Sequence, residues 1–318
     1  MTTAATTALA SLLVCTPAAA FQQTTTSQSK PTFHSAVDLV TVAAVVRDRH
    51  GRFARGLRKE DFVVEEKGVR RDLVDFRSDD NAPVRVALLF DVSGSMRLGT
   101  RIDDARQTAR QLLSALRLGS ADDEAAVYSF DMNLQSLQSF TSDARAIENA
   151  LLRVKPYGQT SLYDAIALTA REVADTPSGD PHRRAVVVLT DGIDTSSELT
   201  PEKVAVYASE IDVPVYVLTV ASDVDRDAME RSESIAGVAG GALRTIAHST
   251  GGELFVTSAP AHESVAARQI VDELRHQYVF AFPASPGVGW RALSVRTKQK
   301  DLSVRARSGY SAGGRSGR

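Results

Sequence analysis

The runs Val86-Ala87-Leu88-Leu89-Phe90 and Ala185-Val186-Val187-Val188-Leu189 contain no polar side chain, and Val213 to Val220 is nearly as apolar. Short continuous apolar runs bounded by turn residues predict strands buried on both faces of a parallel sheet. Between and after them the period changes. Ile102, Ala105, Ala109, Leu112, Leu113 and Leu116 recur at helical spacing, with Gly119 as a stop. Ala125 to Phe130 predicts a strand, and the more polar Leu134 to Phe140 predicts an edge strand. Thr141-Ser142-Asp143 predicts the cap of a helix through Ala146, Ile147, Ala150 and Leu151. Helices follow at Leu162 to Ala174, from Thr200-Pro201-Glu202 onward, at Ala242 to Ser249 and at Ser264 to His276, with a strand at Glu253 to Thr257. Ser222 to Gly240, acidic and then rich in Gly and Ala, reads as an excursion. Strands alternating with helices predict an α/β fold, a doubly wound and mostly parallel sheet.

The flanks alternate with period two instead. Val37 to Val46, Phe62 to Glu66 and Val69 to Phe76 predict strands, the last two as a hairpin about Lys67-Gly68. Tyr278 to Phe282, Trp290 to Thr297 and Leu302 to Ala306 predict strands at the other end, with Lys298 to Asp301 as a turn. The expected organisation is a β-rich flank at 36–82, an α/β domain at 83–277 and a second β-rich flank at 278–310. The two flanks would pair into one all-β, sandwich-like domain, followed by a disordered tail at 311–318.

Composition narrows the class. The chain has 318 residues, 43% hydrophobic and 24% charged, enough for a sizeable core. A formal net charge of −2 offers no electrostatic footprint for nucleic acid. At the N-terminus, Ala8 to Cys15 is a short apolar core, and Ala18-Ala19-Ala20 is a small-residue cleavage pattern. The expectation is therefore a signal peptide at 1–20 and a periplasmic or secreted location, although no basic residue precedes Lys30. A Gln/Thr/Ser-biased linker follows at 21–35. Cys15 is the single cysteine. Lipidation there is the less favoured alternative, and cleavage after Ala20 would leave a protein without thiols.

The chemistry sits at strand ends. Asp91, Ser93 and Ser95 alternate just after the first apolar run, Thr160 lies in the loop before a helix, and Asp191 follows the second apolar run. Hydroxyl and carboxylate oxygens suit a hard divalent cation rather than zinc. Each piece also has a bland use as a helix cap. In this order, and on an apolar strand–helix background, they resemble the metal-ion-dependent adhesion site of the von Willebrand factor A family, over roughly Val84 to Gln277. The β-rich flanks, ending in Val304-Arg305-Ala306-Arg307-Ser308-Gly309-Tyr310, resemble the exported proteins of acidobacteria that carry this domain.

The resemblance implies that Ser93, Ser95 and Thr160 are direct metal ligands and that Asp91 and Asp191 act directly or through water. It also implies Mg²⁺ (or Ca²⁺ or Mn²⁺) as the ion and an Asp or Glu carboxylate of a protein partner in the open coordination position. Gln159 stands where relatives often have Gly. Asp164 and Asp194 read as solvated or capping residues, Asp122-Asp123-Glu124 and Asp223 to Asp227 as exposed acidic loops, and Arg291, Arg296, Lys298, Arg305 and Arg307 as a solvated sheet face. None of the six histidines falls in a zinc or triad spacing, and Val92-Ser93-Gly94 is not a nucleophile elbow. The expectation is thus an exported binding module for adhesion or scaffolding rather than an enzyme. The rival is a metal-assisted hydrolase using the same Asp/Ser set, which ordinarily needs more than two carboxylates.

Overall fold

The strand β5 (Val84–Asp91) has one apolar residue set for each face of a sheet. Val84, Val86, Leu88 and Phe90 enter one core, while Ala87 and Leu89 enter the opposite one. The computed structural model that reveals this describes residues 39–79, 81–119, 122–175, 182–210, 212–220, 235–257 and 260–312. The expected signal peptide, linker and Asp223–Asp227 loop lie outside them, as do the whole of the expected excursion up to residue 234 and the tail beyond residue 312.

The central sheet has six strands in the order β10 (Leu254–Thr257), β9 (Val215–Val220), β8 (Arg183–Thr190), β5, β6 (Glu124–Phe130) and β7 (Leu134–Thr141). All neighbours are parallel except β7, which lies antiparallel at the edge. Helices α1 (Arg101–Ala115), α2 (Ala144–Arg153) and α6 (Pro260–Arg275) contribute to the core on one face. Helices α3 (Leu162–Ala174), α4 (Pro201–Glu210) and α5 (Ile235–Ser249) contribute to the core on the other. The doubly wound α/β class read from the sequence is what the chain adopts. Asp143 caps α2 as expected, accepting from the backbone N–H groups of Arg145 and Ala146. The helix expected from Ala242 instead begins at Ile235, so part of the Gly/Ala-rich stretch is helical.

The flanks form two four-stranded antiparallel sheets. One is ordered β13 (Ser303–Ala306), β1 (Leu39–Arg47), β11 (Tyr278–Pro283), β4 (Asp75–Ser78). The other is β14 (Gly309–Ala312), β12 (Gly289–Thr297), β2 (Phe62–Glu66), β3 (Val69–Arg70). Each sheet draws strands from both ends of the chain, and one core, including Val42, Phe62, Phe280, Phe282 and Leu293, lies between them. Two details depart from the sequence pattern. The stretch 69–76 is not one hairpin strand. It divides into β3, paired with β2, and β4, paired with β11 in the opposite sheet, with buried Leu73 between them. Likewise Lys298 to Asp301 joins β12 and β13 across the two sheets rather than within one.

Several charges expected in solvent are buried. Asp123 is fully buried and accepts from the backbone N–H of Val84 and Arg117 and from the guanidinium of Arg275. Arg291 shares the inward face of β12 with Leu293 and meets Glu66 at 3.4 Å, so it is not part of a solvated face. Burial alone would raise the Glu66 pKa, but the Ser285 and Tyr310 hydroxyls and the cations of Arg71 and Arg291 outweigh it and hold the carboxyl below its usual range. A depressed carboxylate stabilises the fold above its unfolded pKa, and that contribution is lost as pH falls through the folded value. Acid titration of stability should therefore fall away below about pH 4.5, and Glu66→Gln should flatten that limb when unfolding is followed by urea at stepped pH.

The α/β layers and the sandwich belong to one compact unit. Arg47 of β1 and Arg305 of β13 both pair with Glu273 on α6, which is fully buried, and Arg305 also reaches Glu253. Arg307 pairs with Asp212 at 3.2 Å and donates to the Ser209 carbonyl at 2.6 Å. Arg305 and Arg307 thus fasten the two layers, which corrects their reading as solvated residues, whereas Arg296 stays exposed beside Glu65. Helix α6 passes into β11 through only His276 and Gln277. No described helix is long and apolar enough to cross a membrane.

Candidate metal centre

The strands β6 and β8 flank β5 on opposite sides, so the chain reverses its winding direction there. Open α/β sheets place their ligands outside the carboxyl ends of strands at such a switch point. Asp91 ends β5 and Asp191 follows β8, so their carboxyl groups share that edge.

Asp91 is fully buried. Its Oδ1 accepts from the Ser93 backbone N–H at 2.9 Å, and its Oδ2 accepts from the Thr190 hydroxyl at 2.6 Å. The chain then turns through a short 3₁₀ helix (Gly94–Arg97) that brings the Ser93 and Ser95 Oγ atoms within 3.0 Å of each other. The loop before α3 is stitched to this turn. Gly94 N–H donates to the Gly158 carbonyl at 2.9 Å and Tyr157 N–H donates to the Val92 carbonyl. Gly158 has a φ of +106°, and a Cβ there would press on Asp131 at 3.1 Å, so glycine is required at this approach.

Thr160 is held by its backbone. Its N–H donates to the Thr195 hydroxyl at 3.1 Å, and its carbonyl accepts from the N–H groups of Thr195 and Ser196. Among the described residues its hydroxyl has no hydrogen-bond partner, and Thr160 lines a cleft of about 310 Å³ with Ser93, Ser95, Gly158, Gln159 and Ile193. Gln159 points its amide oxygen at the Ser196 hydroxyl, 2.9 Å away. Asp194 caps α3, and Asp164 on that helix holds the loop before α4. Asp194 accepts from Leu162 N–H at the start of α3, and Asp164 accepts from the N–H groups of Glu198 and Leu199.

The five residues singled out in the sequence, Asp91, Ser93, Ser95, Thr160 and Asp191, therefore meet at one edge of one sheet, from three separate stretches of chain. Residues 86–193 match the profile of the von Willebrand factor type A domain. Over that stretch, about a third of the chain, the sequence is similar to von Willebrand factor A domains. A thrombospondin-related anonymous protein of Plasmodium falciparum is 31% identical over 147 residues, covering 42% of this chain. The match spans only 26% of that relative's length. Among solved structures, a von Willebrand factor type A protein from Catenulispora acidiphila is 14% identical, with a TM-score of 0.49, over 78% of this chain and 73% of its own. The proximal thread matrix protein 1 of mussel byssus, with a zinc-occupied metal-ion-dependent adhesion site, is 19% identical, with a TM-score of 0.48, over 66% of this chain and 49% of its own.

The electrostatics of this edge suit a cation. Burial, and then the neighbouring Asp191 carboxylate, push the Asp91 pKa up to about 6, despite hydrogen bonds from Thr190 and Ser93 that favour the anion. A divalent ion placed among these oxygens would favour the charged form of Asp91. The donor set fits: three hydroxyls, one of them unpartnered, can face the ion, and two buried carboxylates can neutralise it directly or through water. Among the described residues no group of three or more His, Cys, Asp or Glu side chains is placed to hold a metal. A hydroxyl-based site is the arrangement the edge offers.

Two participants were not legible beforehand. Thr190 orients Asp91, and its place next to Asp191 in the Thr190-Asp191-Gly192 turn was the available signal. Arg101, the first residue of α1, donates from Nη1 to Asp191 Oδ2 at 2.9 Å and to the Ser95 carbonyl at 2.9 Å. Its one signal is a basic residue in the first turn of a helix, where acidic side chains are favoured.

Proposed function

We propose that this protein is an exported, non-catalytic binding module for adhesion or scaffolding. It captures an acidic side chain of a partner protein through a divalent cation, Mg²⁺ or alternatively Ca²⁺ or Mn²⁺. In this reading Ser93, Ser95 and Thr160 offer their hydroxyls to the ion, and Asp91 and Asp191 supply the negative charge. The single observation that carries it is that Ser93, Ser95 and Thr160 line one cleft, with Asp91 bonded to the Ser93 backbone beneath it and Asp191 close enough to raise the Asp91 pKa. A six-coordinate ion bound to so few protein groups keeps at least one position for water, and a carboxylate from a partner can displace that water.

The site favours binding over catalysis on its own chemistry. The Ser93 hydroxyl faces the Ser95 hydroxyl rather than a base, and among the described residues no histidine lines the cleft. The exported location rests on the signal-like residues 1–20.

Calorimetric titration of metal-stripped protein with Mg²⁺ and Mn²⁺ tests the proposal. Saturable one-to-one binding, and a pull-down partner that EDTA releases, are the expected results. Absence of binding with both ions at millimolar concentration, with and without added acetate and in wild type and Arg101→Gln alike, would remove the metal reading.

A further inference from the structure

We infer that Arg101 is a built-in counter-cation of the metal site, one that holds down affinity for the metal alone and reserves tight binding for a metal together with an anion. The inference rests on the metal-site reading above and adds a residue that sets its charge.

Arg101 is 5% exposed and opens α1. That is an unfavourable place for a cation: the positive end of the helix dipole repels it, and burial strips its hydration. What holds it there is the site itself, because one guanidinium nitrogen donates both to Asp191 Oδ2 and to the Ser95 carbonyl. Both partners of the ion pair are buried, with side-chain exposures of 6% and 4%, so solvent screens the interaction little.

The charge balance follows. Asp91 and Asp191 alone would neutralise a divalent cation. With Arg101 in place the protein's share is one net negative charge, and the loaded site becomes net positive. A carboxylate entering the open position restores neutrality. Each ligand therefore raises the affinity for the other, and by linkage the effect is reciprocal. Arg101 either stays and repels the ion or must leave Asp191 before the ion can use it, and in both cases its removal strengthens metal binding.

The test is Mn²⁺ titration of metal-stripped wild type, Arg101→Gln and Arg101→Lys, with and without added acetate, each variant first checked for native circular dichroism. Arg101→Gln should bind Mn²⁺ at least tenfold more tightly than wild type, with a smaller gain from acetate. Its melting temperature should fall in EDTA and recover with Mn²⁺. Arg101→Lys, which keeps the charge, should stay near wild type and remains informative if the Gln variant misfolds. Equal or weaker Mn²⁺ binding by a folded Arg101→Gln would overturn the inference while leaving the metal site standing. The same holds if Arg101→Lys binds Mn²⁺ tenfold more tightly than wild type. Binding by neither wild type nor Arg101→Gln would overturn both the inference and the metal site.

Discussion

Asp91→Asn should lose Mn²⁺ and Mg²⁺ binding by at least ~100-fold while melting in EDTA no lower than wild type. The two halves have one cause. Asp91 is fully buried, with its carboxyl pushed up to about 6 by burial and by Asp191, so its charge is carried at a cost in the metal-free protein. Asparagine keeps the size and an acceptor oxygen for Ser93 N–H, and the Thr190 hydroxyl can turn to accept from the new amide. The fold therefore loses an unfavourable charge and little else. The bound cation, in contrast, loses one of two neutralising carboxylates. A hundredfold loss corresponds to about 2.7 kcal/mol, well within the Coulomb energy of a divalent ion and a carboxylate a few ångströms apart at an effective dielectric constant of about 20. Calorimetry and thermal unfolding with and without EDTA measure both halves. Undiminished metal binding would reduce Asp91 to a cap for the Ser93 turn.

The second large effect is expected far from the cleft. Glu273→Ala should destabilise the protein by about 3 kcal/mol, the order seen when one partner of a buried pair is removed. Glu273 is fully buried on α6 and holds two cations from the sandwich, Arg47 at 2.8 Å and Arg305. Without it, two guanidinium groups face each other with Glu253 as the nearest remaining anion to Arg305. Each arginine keeps about a fifth of its side-chain exposure, which lets water recover part of the loss and places the effect at the lower end of that range. For a unit of this size the melting temperature should drop by roughly 5 °C. A loss under about 1 kcal/mol in urea unfolding would mean that the arginines rehydrate freely and that the clamp contributes little.

Glu273 also sits on the helix that continues into β11 after two residues. The α/β layers and the sandwich are therefore joined both covalently and by a buried charge cluster. Breaking the cluster tests how much of their association rests on charge rather than on chain connectivity.

The sequence by itself determined the elements and the order of the site residues. β5 and β8 were legible because each is covered on both faces, so the whole run must be apolar and no phase has to be judged. α2 and α3 were legible because a cap and a 3.6-residue period are local properties. The linear pattern from Asp91 through Ser95, Thr160 and Asp191 could be read because each residue lies just past or just before an element with a local signature. The tertiary structure decided which of those ends meet, since the strand order around β5 places β8 rather than β7 beside it. It also decided where the flanking strands pair. The stretch 69–76 has the alternation of a strand throughout, but alternation reports faces, not partners, and Leu73 enters the core where the chain crosses between sheets. The charged residues were the least legible of all. Asp123, Arg291, Arg305, Arg307 and Arg101 look like surface side chains, because a charge can be buried only when its counter-ion is brought to it. Those counter-ions, Arg275, Glu66, Glu273, Asp212 and Asp191, lie far away along the chain.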